Sequence, residues 1–357
     1  MYKASELELN KLLAITLERN ASDLHLVVGE PPILRIDSAV TRLEDYQVLS
    51  ADAVSDLVSV MLTPLQKENL QKNWHLDFSY TYKDNARFRV NVYQAQGVWN
   101  IAFRLIPTQI KSLEELNLPP MLKQMTQHRQ GLVLVVGPTG HGKSTALASM
   151  INEINLTRAE HILTIEDPVE FLFTHKESFV SQREVGQDTP SFEMALKAAL
   201  REDINVVLVG EMRDLESISA TLTLAETGHL IFATMHTNDA AQSIDRIVDV
   251  FPGDQQGQIR SQLANTLIGV VSLRLLPKVG GGRIPAYEIM MMNHAVRNVI
   301  RDNKIFEINN IIHTSMESGM VPLDKSLAVL VKQGLVDLEV AQNFVLDQDY
   351  FTSLLGS

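Results

Sequence analysis

The first third of the chain combines helical and extended hydrophobic patterns. Leucine and isoleucine recur at helical spacing over residues 5–19, and the apolar positions of residues 51–73 also indicate a helix. Between them, LHLVV and PILRI are predicted to be short strands, because they are apolar and are separated by glycine and proline. Residues 1–106 are therefore predicted to form a small α+β domain.

A β-hairpin is predicted at the end of this domain, in the stretch ARFRVNVYQAQGVWNIAFRLIP. Successive side chains of a strand point to opposite faces. Phe88 and Val90 share one face, whereas Arg87 and Arg89 share the other, and Arg104 is one of the residues that alternate along the return strand. Arginines on a strand face are usually solvated, and the pattern alone leaves a binding role open.

Residues 107–120 carry three prolines and are predicted to be a linker or hinge. Beyond them, short apolar runs alternate with helical patterns. The runs are LVLVV (132–136), HILTI (161–165), VVLV (206–209) and HLIFATM (229–235). Because such runs are apolar on both faces, they indicate a mostly parallel sheet covered by helices on both sides. An α/β domain is predicted over residues 121–357, ending in a helical region from about residue 276.

The chain carries a net charge of −12 and no cysteine among its 357 residues. The charge disfavours a nucleic-acid partner, because phosphate backbones require a basic face. No apolar run approaches the roughly 20 residues that span a bilayer, and the polar N-terminus does not resemble a signal peptide. We therefore expect a cytoplasmic protein that does not insert directly into a membrane.

The segment GPTGHGKST directly follows the first apolar run and matches the phosphate-loop pattern G-x-x-x-x-G-K-[ST]. Backbone N–H groups of such a loop surround the phosphates of ATP, a lysine reaches the β- and γ-phosphates, and a serine hydroxyl binds Mg²⁺. The predicted nucleotide contacts are Gly137, Pro138, Thr139, Gly140, His141, Gly142, Lys143, Ser144 and Thr145. His141 occupies a variable position, which predicts a tolerated substitution, with a contact to phosphate or to a neighbouring subunit left open.

Acidic residues and histidines follow the other apolar runs. Glu166 and Asp167 come after the second run, and Glu211 comes after the third. Because ligands bind beyond the carboxyl ends of parallel strands, Glu211 is a candidate general base, and Glu166 or Asp167 a candidate Mg²⁺ ligand. His229 and His236 flank the fourth run, where a strand-end histidine can contact the γ-phosphate. Helix capping and packing are the competing explanations for these side chains.

Together these segments resemble the secretion-type hexameric ATPases. ILTIEDPVEF is similar to the aspartate box of that family, VLVGEMRD to its Walker B segment and HLIFATMHTNDA to its histidine box. Within the family, AVRNVIRD (295–302), ASDLHL, RFRVNVY, VSQREVG and SGMVPLDKSL resemble the type IV pilus retraction ATPases, the PilT family. The resemblance extends from about residue 6 to beyond residue 330. A histidine at position 141 and the pair Ile204-Asn205 depart from the family pattern.

The resemblance implies a PAS-like N-terminal domain, a RecA-like ATPase domain and a homohexamer with ATP at each subunit junction. It implies that Arg89 and Arg104 reach the γ-phosphate, with Arg87 as a further candidate, and that Arg201 serves the same junction. It further implies an inner-membrane pilus platform protein as partner at the inner face of the cytoplasmic membrane, with pilus retraction and twitching motility as outputs.

Several alternatives stay open at this point. Within the family, the alternatives are an accessory retraction paralogue and a pilus assembly or type II secretion ATPase. Assembly and secretion ATPases usually carry a four-cysteine zinc insertion, whereas this chain has no cysteine. From other classes, a ring-shaped nucleic-acid translocase and a nucleotide-binding regulator that does not hydrolyse are the alternatives.

Overall fold

The computed structural model describes residues 2–36, 39–83, 86–106 and 109–356. The chain divides into two compact units, one of Met1–Gln109 with Pro168–Leu172, and one of Ile110–Asp167 with Phe173–Ser357. Residues 107 and 108, where the predicted linker begins, lie outside the described residues. Within the described ranges, no helix is both long and apolar enough to cross a bilayer.

The first unit is an antiparallel sheet of six strands with three helices. Its elements are α1 (Tyr2–Glu18), β1 (Asp23–Leu26), β2 (Ile33–Ile36), β3 (Ala39–Arg42), α2 (Ala51–Met61), α3 (Pro64–Asn73), β4 (His75–Tyr82), β5 (Ala86–Ala95) and β6 (Val98–Ile106). The strands lie in the order β3-β2-β1-β6-β5-β4. The helix predicted over 51–73 is divided in two, because Thr63 caps α3 and Pro64 occupies its first position.

The β5–β6 hairpin confirms the predicted alternation of faces. Phe88, Val90 and Val92 are fully buried in the core of the unit. The hairpin turns at Gln96 and Gly97, whose φ angles of 52° and 82° match the positive values that a type I′ turn requires. This turn fixes the register of the two strands, and that register pairs the arginines of the other face across them.

The second unit contains a seven-stranded sheet. Its elements are α4 (Pro120–Met125), β7 (Gly131–Val136), α5 (Lys143–Thr157), β8 (His161–Glu166), β9 (Phe179–Glu184), α6 (Phe192–Ala199), β10 (Val206–Val209), α7 (Leu215–Glu226), β11 (Leu230–Met235), α8 (Ala240–Asp249), α9 (Gly253–Thr266), β12 (Leu267–Pro277), β13 (Arg283–Met291), α10 (His294–Arg301), α11 (Ile308–Thr314), α12 (Leu323–Lys332), α13 (Leu338–Gln342) and α14 (Gln348–Gly356). The strand order is β13-β12-β7-β11-β10-β8-β9, and every pairing is parallel except β12 with β13.

Apolar side chains cover both faces of this sheet, as the four apolar runs predicted. Leu132 and Leu134 of β7 lie in one buried cluster, whereas Val133 and Val135 lie in the cluster on the opposite face. Each strand therefore contributes alternate side chains to two cores, and the phosphate loop begins where β7 ends.

The prediction of a helical region from about residue 276 is wrong for the end of β12 and for β13. These two strands form an antiparallel pair of 11 and 9 residues, so the helical region begins at α10 and not near residue 276. β12 is buried along most of its length. Neither its sequence, LIGVVSLRLLP, nor that of β13, RIPAYEIMM, has the regularly spaced polar positions of an amphipathic helix. The final helices pack with Leu276 and Ala286 in a separate C-terminal hydrophobic cluster.

Candidate functional site

The phosphate loop connects the buried strand β7 to α5, which begins at Lys143. Gly137 and Gly142 have φ angles of 140° and 87°, conformations that L side chains rarely adopt. A Cβ atom on Gly137 would lie 2.5 Å from the carbonyl oxygen of Leu273. The loop therefore requires glycine there for reasons of both conformation and space, and Ser144 and Thr145 follow in the first turn of α5.

Lys143 is buried within the loop that precedes it. Its Nζ donates to the carbonyl oxygens of Gly137, at 2.7 Å, and Pro138, at 3.0 Å, and lies 3.3 Å from Nδ1 of His236. An ammonium group can only donate, so in this contact Nδ1 of His236 is the acceptor. The positive charge thus lies among groups of the loop, beside the histidine that follows β11.

Glu211 and His236 meet at the carboxyl ends of β10 and β11. Nε2 of His236 lies 3.2 Å from Oε1 of Glu211, and Nη2 of Arg213 lies 2.6 Å from Oε2. Thr139 of the loop also approaches Nδ1 of His236, at 3.4 Å. The structure therefore brings together Lys143, His236 and Glu211 in a row of close contacts, with His236 between the lysine and the carboxylate.

The carboxyl group of Glu211 is held in its ionised form. Partial burial acts to raise its pKa, but the hydrogen bond from Arg213 and the nearby His236 outweigh that effect and lower the pKa below its usual value. With one partner on each oxygen, the carboxylate keeps free lone pairs that can accept a hydrogen bond from an ordered water. Arg213 was not predicted from sequence, although its position two residues after Glu211 is a usable signal.

Glu166 lies at the end of β8, adjacent to Gly210. Its carboxylate is buried and accepts a hydrogen bond of 2.7 Å from the hydroxyl of Thr164. A Cβ atom on Gly210 would approach Cα of Glu166 to 3.2 Å, so glycine permits this close packing of β10 against β8. Asp167 is exposed beside it and contributes to raising the pKa of Arg213. Both acids therefore lie at the strand ends, where the sequence predicted them.

Arg274, a buried arginine on β12, lies beside the phosphate loop and stabilises it. Arg274 donates through Nη1 to the carbonyl oxygen of Leu273, at 2.9 Å, and through Nη2 to that of Asn238, at 2.8 Å. It thereby joins the segment behind Gly137 to the turn that follows His236. Sequence reasoning missed it, although an arginine within the apolar run LIGVVSLRLLP is unusual enough to indicate a buried polar role.

Glu288 on β13 is a second buried charge in this region. It accepts a hydrogen bond of 3.0 Å from the backbone N–H of Ala240 at the start of α8. Burial raises its pKa to about 7, although that hydrogen bond and the attraction of Arg274 oppose the shift. Its carboxyl group therefore titrates near neutral pH.

The imidazole of His141 faces its own chain. Nδ1 accepts a hydrogen bond of 3.0 Å from the backbone N–H of Leu275, and the ring lies edge-on to Phe344, with 6.2 Å between the ring centroids. The side chain therefore has two partners within its own chain, one on β12 and one beyond α13, and the tolerated substitution stays a prediction.

His229 and Arg201 are not brought to the loop of their own chain. His229 precedes β11, a six-residue strand, and its Nδ1 lies 3.0 Å from the carbonyl oxygen of Leu224. Arg201 is exposed between α6 and β10, also at the amino ends of the strands. A contact of either residue with nucleotide would have to be made in a neighbouring subunit, and that stays a prediction.

The arginines of the first unit lie in one row across its sheet. Register pairs Arg89 directly with Arg104, Arg104 with Asp23, and Asp23 with Arg35. Nε of Arg104 donates to Asp23 Oδ1 at 2.9 Å, while Nε of Arg35 lies 3.9 Å from Oδ2. The remaining candidate, Arg87, pairs with Ile106 at the end of the same strands. One buried carboxylate thus orients an exposed, cation-rich face.

Helix α10, which contains most of the segment AVRNVIRD, has one buried apolar stripe. Val296, Val299 and Ile300 are buried, and Nε of Arg297 donates to the carbonyl oxygen of Ala264 at 3.2 Å. Arg297 also lines a groove of about 590 Å³ at the amino ends of β7 and β12. The helix therefore lies at the end of the strands opposite to the phosphate loop.

Comparison with known proteins agrees with the geometry. Residues 4–281 match the family described as type II/IV secretion system protein. The chain is 44% identical to the type IV pilus retraction ATPase PilT of Pseudomonas aeruginosa, over 94% of this chain and 97% of that protein. It is 47% identical to a twitching motility protein of Neisseria gonorrhoeae, over 87% and 83% of the two chains. A crystal structure of the pilus retraction motor PilT with bound ADP superimposes with a TM-score of 0.89 at 44% identity, covering 96% of this chain and 98% of that one.

Proposed function

The chain belongs to the type II/IV secretion system proteins and, within them, to the PilT family of pilus retraction ATPases, and on that premise we propose that six copies form a ring. It is a nucleotide-binding ATPase that powers retraction of type IV pili. In the proposed ring, each ATP lies at a junction between neighbouring subunits. One subunit supplies the phosphate loop and the strand-end acids, and its neighbour supplies Arg89 and Arg104.

The observation that carries this proposal is the direct pairing of Arg89 with Arg104 on an exposed sheet face. Each arginine contacts an acidic partner through Nε, Asp77 at 3.9 Å for Arg89 and Asp23 at 2.9 Å for Arg104, so the two guanidinium groups lie side by side on the face. The side chains are 43% and 71% exposed, so a large anion can reach them. A terminal phosphate fits that requirement, and arginine supplied across a junction stabilises the charge that develops during phosphoryl transfer.

Each group of the second unit then has a role in hydrolysis. Lys143 binds the β- and γ-phosphates, Glu211 accepts a proton from the attacking water, and His236 links the two. The hydroxyl of Ser144 and the carboxylates of Glu166 and Asp167 form a hard oxygen donor set of the kind that Mg²⁺ prefers. When bound, Mg²⁺ neutralises charge on the phosphates. Among the described residues, no group of three or more acidic, histidine or cysteine side chains is placed to hold a metal ion by itself.

Mechanical output follows from movement between the two parts of each subunit. We assign residues 1–106 to a PAS-like domain, 107–120 to the hinge and 121–357 to the ATPase domain. Successive hydrolysis events would move these domains in turn and drive a platform protein at the inner face of the cytoplasmic membrane. That protein would return pilin subunits to the membrane.

Mixed rings test the shared site. Arg104→Ala and Glu211→Ala are each expected to reduce ATPase activity strongly, because each removes one side of every junction. With random mixing in equal amounts, about one junction in four joins two intact halves, so roughly a quarter of parental activity should return. Arg104→Ala mixed with Arg89→Ala is the control, because both changes affect the same side and no intact junction can form. Equal activity in both mixtures would contradict the proposal.

Cellular and biochemical assays separate the alternatives. Deletion of the gene should leave abundant static pili, whereas loss of an assembly ATPase leaves none. If pili still retract after deletion, the chain is an accessory paralogue. ATPase activity that rises strongly with DNA would favour a nucleic-acid translocase. Unchanged phosphate release in Lys143→Ala would favour a regulator that does not hydrolyse.

A further inference from the structure

Strand β12 extends beyond its neighbour β7 at the phosphate loop. The last paired residues of the two strands are Val136 and Ser272, whereas β12 continues to Pro277. In a parallel ladder, the carbonyl oxygen of one residue and the N–H two positions later point to the same side. The Leu273 carbonyl and the Leu275 N–H therefore face the space into which β7 does not continue.

Two side chains satisfy these backbone groups in place of a strand. Arg274 Nη1 donates to the Leu273 carbonyl at 2.9 Å, and the Leu275 N–H donates to His141 Nδ1 at 3.0 Å. The imidazole of His141 thus accepts a backbone N–H of β12 at a position where a neighbouring strand would otherwise accept it.

The same ring connects the loop to the C-terminal helices. Its edge-on partner, Phe344, follows α13 and packs against the C-terminal hydrophobic cluster. His141 is therefore held on two sides, by the backbone of β12 and by an aromatic ring. A residue with a very small side chain, such as alanine, could make neither contact at this position.

The hydrogen bond requires an unprotonated Nδ1. Burial lowers the pKa of His141, and the positive charges of Arg274 and Lys143 lower it further. The neutral ring, with its proton on Nε2, is consequently the form that accepts from Leu275 at neutral pH.

We propose that His141 is a positioning residue that fixes the phosphate loop in its nucleotide-binding shape by accepting the Leu275 N–H, without touching the nucleotide. The inference depends on nucleotide binding at this loop and not on the ring of six. It predicts an effect on affinity and not on the chemical step.

The test compares His141→Ala with His141→Asn. Asparagine Oδ1 occupies nearly the position of histidine Nδ1 and can accept the same hydrogen bond, whereas alanine cannot. We expect the Kd for ADP and the KM for ATP to rise about three- to tenfold in the alanine variant, the range for loss of one partly buried hydrogen bond, with kcat nearly unchanged. The asparagine variant should stay within about twofold of the parent.

Amide hydrogen exchange at Leu275 gives a readout that does not involve turnover. Its N–H should exchange slowly in the parent and in His141→Asn, and faster in His141→Ala. His313→Ala is a matched control, because His313 is also half-buried and lies edge-on to an aromatic ring, Tyr350. It should leave Kd and exchange at Leu275 unchanged.

Two results would overturn the proposal. One is a parental Kd in His141→Ala together with unchanged exchange at Leu275. The other is a folded His141→Asn variant that binds ADP as weakly as the alanine variant. If His141→Ala does not fold, the asparagine variant decides: parental affinity and slow exchange support the proposal, and weak binding with fast exchange contradicts it.

Discussion

The substitution Asp23→Asn tests whether Asp23 orients the row of arginines, because it leaves the arginines themselves unchanged. Asp23 is only 6% exposed and accepts hydrogen bonds from Arg104 Nε, at 2.9 Å, and from the hydroxyl of Ser22, at 2.8 Å. Because Nε is the anchored atom, both terminal amino groups of Arg104 are left to face a phosphate. Asparagine keeps the size of the side chain but loses one oxygen and the negative charge.

The expected magnitude differs for stability and for catalysis. The Arg104 side chain is 71% exposed, so its ion pair with Asp23 should contribute no more than about 1 kcal/mol to folding. A guanidinium released from Asp23 must instead be ordered during the reaction, at a cost of up to about 2 kcal/mol. That cost corresponds to a loss in kcat of roughly 30-fold.

Steady-state ATPase kinetics, nucleotide binding and thermal unfolding together test this reasoning. We expect kcat to fall roughly 10- to 30-fold, with the Kd for ATP changed by less than about twofold. Glu30→Gln is the control, because it removes a similarly close ion pair, with Arg42 at 2.8 Å, from the same unit. Mixing Asp23→Asn with Glu211→Ala should restore activity, as the arginine variants do. A kcat within twofold of the parent would refute the positioning role.

Three further substitutions follow from the site, and a fourth serves as a contrast to the last of them. Glu211→Gln should still bind ATP but lose at least about 100-fold in turnover, as measured by phosphate release, because an amide cannot accept the proton from water. Glu288→Gln should stabilise the protein increasingly as pH rises. The folded-state pKa of Glu288, about 7, lies above its usual 4.5, so its stabilising proton is bound at low pH and lost as pH rises through 7. Between pH 4.5 and 8, the parent should lose up to about 3 kcal/mol of unfolding free energy relative to the variant, and equal pH profiles would contradict this. Gly137→Ala should abolish nucleotide binding, because its Cβ would lie 2.5 Å from the Leu273 carbonyl. Gly257→Ala, in the open middle of α9, should instead raise stability by about 0.5–1 kcal/mol, as thermal unfolding can show.

The parallel sheet and the phosphate loop were predictable because their signals are local. Each buried strand is a continuous apolar run, and the loop pattern fixes its own glycine, lysine and serine positions. The acids and His236 were predictable because they directly follow those runs. The β12–β13 pair was missed although β12 carries the same signal, a nearly continuous apolar run that is interrupted by the charged Arg274.

Long-range partners could not be read from the sequence. His141 and Leu275 are 134 residues apart, and no local pattern links them. Asp23 and Arg104 are 81 residues apart, and only the strand order of the first sheet places them side by side. The sequence could name these side chains as candidates, but the register of strands decides which of them meet.

A structure of the assembled protein with a non-hydrolysable ATP analogue tests the central claim most directly. The account predicts that terminal amino groups of Arg89 and Arg104 lie about 3 Å from oxygens of the terminal phosphate. These arginines should belong to one chain, while Lys143 and Glu211 beside the same phosphate belong to its neighbour. Arginines that lie far beyond hydrogen-bonding distance from every terminal phosphate, in all nucleotide states, would contradict it.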